Sequence, residues 1–260
     1  MMIPINAATT RSKTILVDLG GVFMHPQVEQ KLATRDSTIP LRRVMSSLAW
    51  MNYEAGLLSD EECFAQLAKE HHFQAQDLRM MIQKFRETIM WDQAIASIFK
   101  EIKRTGTRVF LVSNISKEDF AALRNRWDDD FWSIFDGVFT SSALGVRKPS
   151  LRFYRHVLRA TRAAPQQTFF VDDRADNVLA ALSIGMKGTF NISGFYRTLT
   201  NFVGDPVARG LAYLRLQNGH FPTTTQYNET IPENYAPLLI LEALEDPYVS
   251  IPDILTPTVC

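Results

Sequence analysis

The chain has 260 residues, with 28 basic and 28 acidic side chains, so its formal net charge is zero. This charge balance gives no indication of a nucleic acid or an anionic membrane as partner. Its two cysteines, Cys63 and Cys260, are too few for a disulfide framework and lack neighbours at zinc-ligand spacing. No apolar run is long enough to cross a bilayer, and no signal peptide is recognisable. We therefore expect a soluble, cytoplasmic protein with no nucleic-acid partner and no membrane insertion.

The first predicted strand is a β-branched and aliphatic run, residues 14–17, that leads directly to Asp18. Gly20 and Gly21 follow at once, so the strand ends in a turn. Ligands of open α/β sheets bind beyond the carboxyl ends of the strands. A carboxylate held there can be a nucleophile, a metal ligand or both, although this pattern alone fits an ordinary strand and turn equally well.

Residues 28–92 have helical character. Ser59 and Glu62 form a helix start with a hydroxyl cap and acidic residues in the first turn. The apolar residues Met80, Met81 and Ile82 are interpreted as part of a buried core. Because this block lies between two predicted strands, it could form a lid over Asp18.

Four more strands are predicted, and candidate polar residues follow the first three of them. They are residues 108–114, which end in Ser113 and Asn114, residues 137–140, residues 167–171, which lead to Asp172 and Asp173, and residues 188–192. Helices alternate with these strands, and a loop after residues 137–140 carries Lys148. The alternation predicts an α/β fold with a Rossmann-like, doubly wound parallel sheet and an inserted helical cap.

The carboxyl ends of parallel strands share one edge of the sheet, so these polar clusters can converge with Asp18. Carboxylates with no thiolate or histidine nearby suit a hard cation such as Mg²⁺, which favours phosphate oxygens. Lysine and serine side chains beside the cation would bind those oxygens, and Asp18 could attack phosphorus.

In order and identity these motifs resemble those of the haloacid dehalogenase superfamily, over residues 14–192. The resemblance is closest to phosphatases with a helical cap between the first two motifs. It implies a hydrolase-like core of residues 1–26 and 92–192, a cap of residues 27–91 and a C-terminal helical extension of residues 193–260.

The resemblance also implies a role for each motif residue. Asp18 would be the nucleophile that forms an aspartyl-phosphate, and Lys148 would neutralise it and the transferring charge. The site would bind Mg²⁺ through Asp18, the Gly20 carbonyl and Asp173, with Asp172 as a further ligand or a support. Ser113 and Asn114 would bind the phosphoryl group, and Asn177 would support the metal or its waters.

One position departs from the family pattern. Most phosphatases of the family carry a second aspartate two residues after the nucleophile as general acid and base, but this chain has Gly20. Loss of a positioned acid and base costs roughly 10²–10⁴-fold in rate. His25 is a candidate replacement, although a histidine beside a proline in a turn is more often a surface residue.

Two other interpretations of the motifs are less favoured. Asp172, Asp173 and Asp176 also match the aspartate-rich motif of class I terpenoid synthases, but that motif lies on a helix and these residues follow a predicted strand. Ser113 lacks the flanking glycines of a hydrolase nucleophile elbow.

Within the predicted C-terminal extension, the stretch from Asn218 to Glu242 resembles the linker that follows the hydrolase-like domain of drimane-type sesquiterpene synthases. No cyclase motif follows here, so the resemblance points to phosphatases that remove phosphate from a cyclised terpenyl phosphate. We predict an Mg²⁺-dependent phosphatase of a small organic phosphate, with a drimanyl-type terpenyl phosphate as candidate substrate. A sugar-phosphate phosphatase and, because of Gly20, a non-catalytic binding domain are the alternatives. Assembly into a homo-oligomer is left open.

Overall fold

A computed structural model describes residues 13–24, 39 and 41–189, and shows a five-stranded parallel sheet in the order β3-β2-β1-β4-β5. The strands are β1 (Thr14–Val17), β2 (Arg108–Ser113), β3 (Gly137–Thr140), β4 (Thr168–Val171) and β5 (Lys187–Thr189). β1 lies at the centre, paired with β2 on one side and β4 on the other. The predicted α/β class and parallel sheet are confirmed.

Helices cover both faces of the sheet, because side chains alternate between faces along each strand. Ile15 and Val17 of β1 point to one face, where they pack with α5 (Gln93–Arg104), α6 (Lys117–Arg126) and α7 (Asp129–Trp132). Leu16 points to the other face, where it packs with α9 (Leu151–Thr161) and α10 (Ala175–Ser183).

Among the described residues, four helices lie between β1 and α5, and we call residues 41–88 the helical insertion. They are α1 (Leu41–Met45), α2 (Leu48–Glu54), α3 (Asp60–His71) and α4 (Ala75–Thr88). The predicted start at Ser59 is a capping box, in which Ser59 and Glu62 each bond the other's backbone N–H. The insertion has a hydrophobic cluster of its own that includes Tyr53, Phe64 and Leu78.

The interpretation of Met80 as a core residue is wrong. Met80 is 55% exposed, whereas Leu78 and Ile82 are buried. Successive residues of a helix are separated by about 100°, so three consecutive apolar residues cannot share one face. Met81, between them, is only partly buried.

Two predicted segments lie wholly or partly outside the described residues. The C-terminal extension, residues 193–260, is outside, and the predicted strand 188–192 is described only as far as the end of β5 at Thr189. The domain boundaries drawn from the sequence stay predictions. No helix among the described residues is long and apolar enough to cross a membrane.

Candidate active site

The central strand presents Asp18 at the carboxyl edge of the sheet. The backbone N–H of Asp18 donates to the carbonyl of Val171, at 2.8 Å, so the ladder between β1 and β4 continues to this residue. Asp172 follows Val171 on the neighbouring strand. This register brings Asp18, Asp172 and Asp173 together, with carboxylate oxygens within 4.8 Å of one another.

Lys148 lies between two of these carboxylates. Its ammonium nitrogen is 2.9 Å from Asp18 and 2.6 Å from Asp172, and it also donates to the carbonyl of Val112 at 3.0 Å. The side chain is 1% exposed, so the cation is buried with all three of its donors engaged. Burial alone would lower the pKa of Lys148, but the attraction of Asp172 and Asp18 outweighs it and raises the pKa, which keeps the ammonium charged.

The acidic cluster holds more negative charge than one lysine balances. Burial raises the pKa of Asp18 to about 8 against the attraction of Lys148, and repulsion by Asp172 and Asp173 adds to the effect. Burial and repulsion by Asp172 also raise the pKa of Asp173, to about 7. A divalent cation in the cluster would remove this repulsion.

Asp172 is already satisfied by protein donors. One of its oxygens accepts from Lys148, and the other accepts from the backbone of Arg174 and the side chain of Asn177, both at 2.9 Å. The other amide atom of Asn177, its buried Oδ1, has no hydrogen-bond partner among the described residues. The arrangement leaves Asp18 and Asp173 as the carboxylates best able to ligate a cation, and Asp172 as the group that orients Lys148.

The residues present therefore fit Mg²⁺. The donor set is oxygen only, which suits a hard cation. Its carboxylates repel one another and one neighbouring amide oxygen is unsatisfied. Asp18 and Asp173 would hold the ion, and the Gly20 carbonyl stays a predicted ligand.

The side chain of Asn114 forms two hydrogen bonds with the backbone of Lys148. Its Oδ1 accepts from the backbone N–H of Lys148 at 2.8 Å, and its Nδ2 donates to the carbonyl of the same residue at 2.9 Å. The amide thus fixes the backbone that carries the lysine. Ser113 is the buried last residue of β2, paired in register with Thr140, and its role in phosphate binding stays a prediction, as does that of Asn114.

The turn after Asp18 depends on a glycine that the sequence interpretation did not single out for a role. Gly21 has a φ of +65°, and a Cβ at this position would overlap the carboxyl group of Asp173. Phe23, two residues later, packs edge-on against Phe131 at 5.4 Å between ring centroids. The glycine thus lets the turn approach Asp173 and the phenylalanine anchors the turn in the core. His25 lies outside the described residues.

Comparison with known proteins identifies the family. A model of haloacid dehalogenase-like hydrolases matches residues 12–185. The chain belongs to this hydrolase family. The predicted family resemblance is confirmed, and so is the prediction of an enzyme of this kind.

Two curated relatives come from fungi. Drimenol cyclase drtB of Aspergillus calidoustus is 35% identical over 240 residues, which make up 90% of this chain but only 45% of that protein. Sesquiterpene phosphatase astK of Aspergillus oryzae is 32% identical over 181 residues, 69% of this chain and 89% of that protein. The chain thus spans less than half of the cyclase and most of the phosphatase. The resemblance of the sequence to sesquiterpene-forming proteins is confirmed.

The fold of the haloacid dehalogenase-like family is also seen in solved structures. The HAD family enzyme bt-2542 of Bacteroides thetaiotaomicron, in complex with magnesium and inorganic phosphate, is similar with a TM-score of 0.54 at 17% identity. The match covers 70% of this chain and 96% of that one. At 17% identity, this structural similarity shows a shared fold and no more.

Proposed function

We propose that this hydrolase is an Mg²⁺-dependent phosphatase that acts on a small organic phosphate through an aspartyl-phosphate. The observation that carries the proposal is the buried Lys148 between Asp18 and Asp172, with Asp173 in the same cluster. A nucleophilic carboxylate, a fixed cation and a cluster suited to a metal are the groups that phosphoryl transfer needs.

The proposed reaction has two steps. In the first, an oxygen of Asp18 forms a bond to phosphorus and the bond from phosphorus to the leaving oxygen breaks. The leaving oxygen takes a proton from solvent, since Gly20 has no group to give one. In the second step water attacks phosphorus, the bond to Asp18 breaks, and inorganic phosphate leaves while the carboxylate is restored.

Lys148 and the metal have separate tasks in this scheme. Lys148 lowers the pKa of Asp18 from the value that burial alone would give, which favours the ionised nucleophile, and it stabilises charge that develops on the phosphoryl oxygens. When bound, Mg²⁺ would supply further charge neutralisation at Asp18, Asp173 and those oxygens. Asp172 holds the ammonium group at 2.6 Å, so the lysine is in place before substrate arrives.

The substrate class comes from the relatives. The protein astK, which matches over most of its length, is a sesquiterpene phosphatase, and drtB is a drimenol cyclase. We therefore propose a terpenyl phosphate of the drimanyl type as substrate, with a role in sesquiterpenoid biosynthesis. Location in the cytoplasm and assembly into a homo-oligomer stay predictions.

The test is phosphate release from terpenyl, hexose and aryl phosphates, with Mg²⁺ and with a chelator. We expect Mg²⁺-dependent turnover with terpenyl phosphate preferred, and a loss of at least about 10³-fold in Asp18→Asn. Asp130→Asn, at an exposed carboxylate, is the matched control and should remain active. Preference for hexose phosphates would support the sugar-phosphate alternative. Equal rates in wild type and Asp18→Asn, or no turnover of any substrate, would favour the non-catalytic alternative.

A further inference from the structure

Glu54, the last residue of α2, connects the helical insertion to two loops of the active site. Its carboxylate accepts from Arg147, at 2.8 Å, and Arg147 is the residue directly before Lys148. Its backbone carbonyl accepts from the hydroxyl of Ser141, at 2.5 Å. That hydroxyl in turn accepts from the backbone N–H of Ile115, the residue after Asn114, at 2.9 Å.

Further contacts hold Glu54 in this position. Its second carboxylate oxygen accepts from the indole N–H of Trp50, at 3.0 Å, so both oxygens are occupied. Gly56 has a φ of +72°, and a Cβ there would lie 2.7 Å from the carbonyl oxygen of Ser142, so the backbone after α2 sits directly on the one-turn helix that follows β3. With both oxygens taken by donors, the carboxylate is arranged to hold its neighbours rather than to transfer a proton.

A continuous series of ion pairs and hydrogen bonds connects Glu54 to Asp18, the proposed nucleophile. Arg147 fixes one end of the Lys148 loop, and Asn114 fixes the backbone of Lys148 itself by two hydrogen bonds. The lysine side chain then reaches Asp18. A chain of charged and hydrogen-bonded groups of this kind transmits position because each group has few alternative partners.

We propose that Glu54 is a positioning residue that couples docking of the helical insertion to the placement of Lys148 beside Asp18. The inference rests on the proposed function for its effect on rate. It assigns the Glu54–Arg147 ion pair a role beyond holding the insertion to the core: without the pair, the insertion still docks through other contacts, but Lys148 is placed less accurately.

A second ion pair between the insertion and the core supplies the matched control. Arg86 of α4 donates to Asp119 of α6 at 2.6 Å, and the two side chains are about as buried as those of Glu54 and Arg147. Both Glu54→Gln and Asp119→Asn exchange a carboxylate for an amide of the same shape. Only the first touches the Lys148 loop.

The rate test compares kcat and KM of these variants. A misplacement of about 1 Å can cost 10²-fold in rate, so we expect Glu54→Gln to lower kcat roughly 10–100-fold with KM within about twofold of wild type. Asp119→Asn should leave both constants near wild type. Arg147→Gln should reproduce the loss, and the double variant should be no slower than either single one, because both act through one contact.

Amide hydrogen exchange tests the same inference without substrate. We expect exchange of the segment 145–150 to become about tenfold faster in Glu54→Gln and to stay unchanged in Asp119→Asn. Unchanged exchange and unchanged kcat in Glu54→Gln, or equal losses in both variants, would overturn the inference. A wild type that releases no phosphate would defeat the proposed function instead, while the exchange experiment still decides whether Glu54 positions the loop.

Discussion

The ammonium nitrogen of Lys148 lies 2.9 Å from Oδ1 of Asp18, and neither side chain has substantial access to solvent. Asp172 is a second acceptor, 2.6 Å from the same ammonium nitrogen. Removal of the lysine would therefore leave two adjacent carboxylates buried without a counter-charge.

Lys148→Met should lower both activity and stability. Loss of one partner from a buried ion pair costs about 3–5 kcal/mol, and loss of a preorganised cation costs roughly 10²–10³-fold in kcat. The loss of unfolding free energy, measured in urea, should be larger at pH 8 than at pH 5, where the carboxylates can take up protons. Lys100→Met, at a more exposed ion pair with Asp130, should change stability by less than about 0.5 kcal/mol. Equal effects of the two substitutions would contradict this account.

Gly21→Ala should weaken Mg²⁺ binding as well as stability. The alanine would adopt a left-handed conformation, at about 1–2 kcal/mol, and its methyl group would push against the Asp173 carboxyl group. Gly106→Ala is the control, because Gly106 also has a positive φ but a Cβ there meets nothing within 4 Å. Calorimetric titration with Mg²⁺ should show weaker binding only in Gly21→Ala. If both variants bind Mg²⁺ as wild type does, Asp173 is not a ligand.

The stability of the metal-free protein should fall as pH rises from about 4 to about 8. Burial raises the pKa of Asp173 to about 7 and that of Asp18 to about 8, from 3.8 in both cases. Between pH 4 and pH 8 the folded state therefore binds more protons than the unfolded state, so the free energy of unfolding decreases with pH. The stabilisation by Mg²⁺, which needs ionised ligands, should increase over the same range. Thermal unfolding at pH 5.5 and 8.5, with and without Mg²⁺, measures both trends, and an Mg²⁺ effect independent of pH would speak against them.

Gly20→Asp should accelerate turnover of alkyl phosphates, whose leaving group needs a proton. Among the described residues, a Cβ at this position meets only one oxygen of Asp18 within 4 Å, at 4.0 Å, so the backbone there leaves room for a side chain. A positioned acid and base contributes 10²–10⁴-fold in favourable cases, and we expect a gain of about 10-fold for an alkyl phosphate and little for an aryl phosphate. Gly20→Asn, of the same size, should give no gain. A rate unchanged by either substitution would mean that proton transfer does not limit this enzyme.

The strands that carry the site could be predicted because their apolar composition is typical of buried strands. β1 and β4 are short runs of apolar and β-branched residues that end in aspartates, and the alternation of strands with helices predicts a parallel sheet. The one-turn helices α7 and α8 (Ser141–Leu144) could not be predicted, because four residues carry too little periodicity.

The contacts of individual side chains could not be predicted from the sequence. Nothing in the sequence around Asn114 indicates that its amide bonds the backbone of Lys148, because the contact joins residues 34 positions apart. The pairing of Glu54 with Arg147 spans 93 positions, and only the docked insertion brings the two together. The approach of Gly21 to Asp173 likewise depends on the register between β1 and β4.

The ring of Phe23 contacts three other aromatic rings, those of Phe99, Phe131 and Phe135, within 5.5 Å of its own centroid. Because this anchor follows Asp18 by only five residues, the turn after Asp18 gives up its conformational entropy when the protein folds. The turn is therefore preorganised before a substrate binds near Asp18. Little of the binding free energy is then spent on ordering this part of the chain.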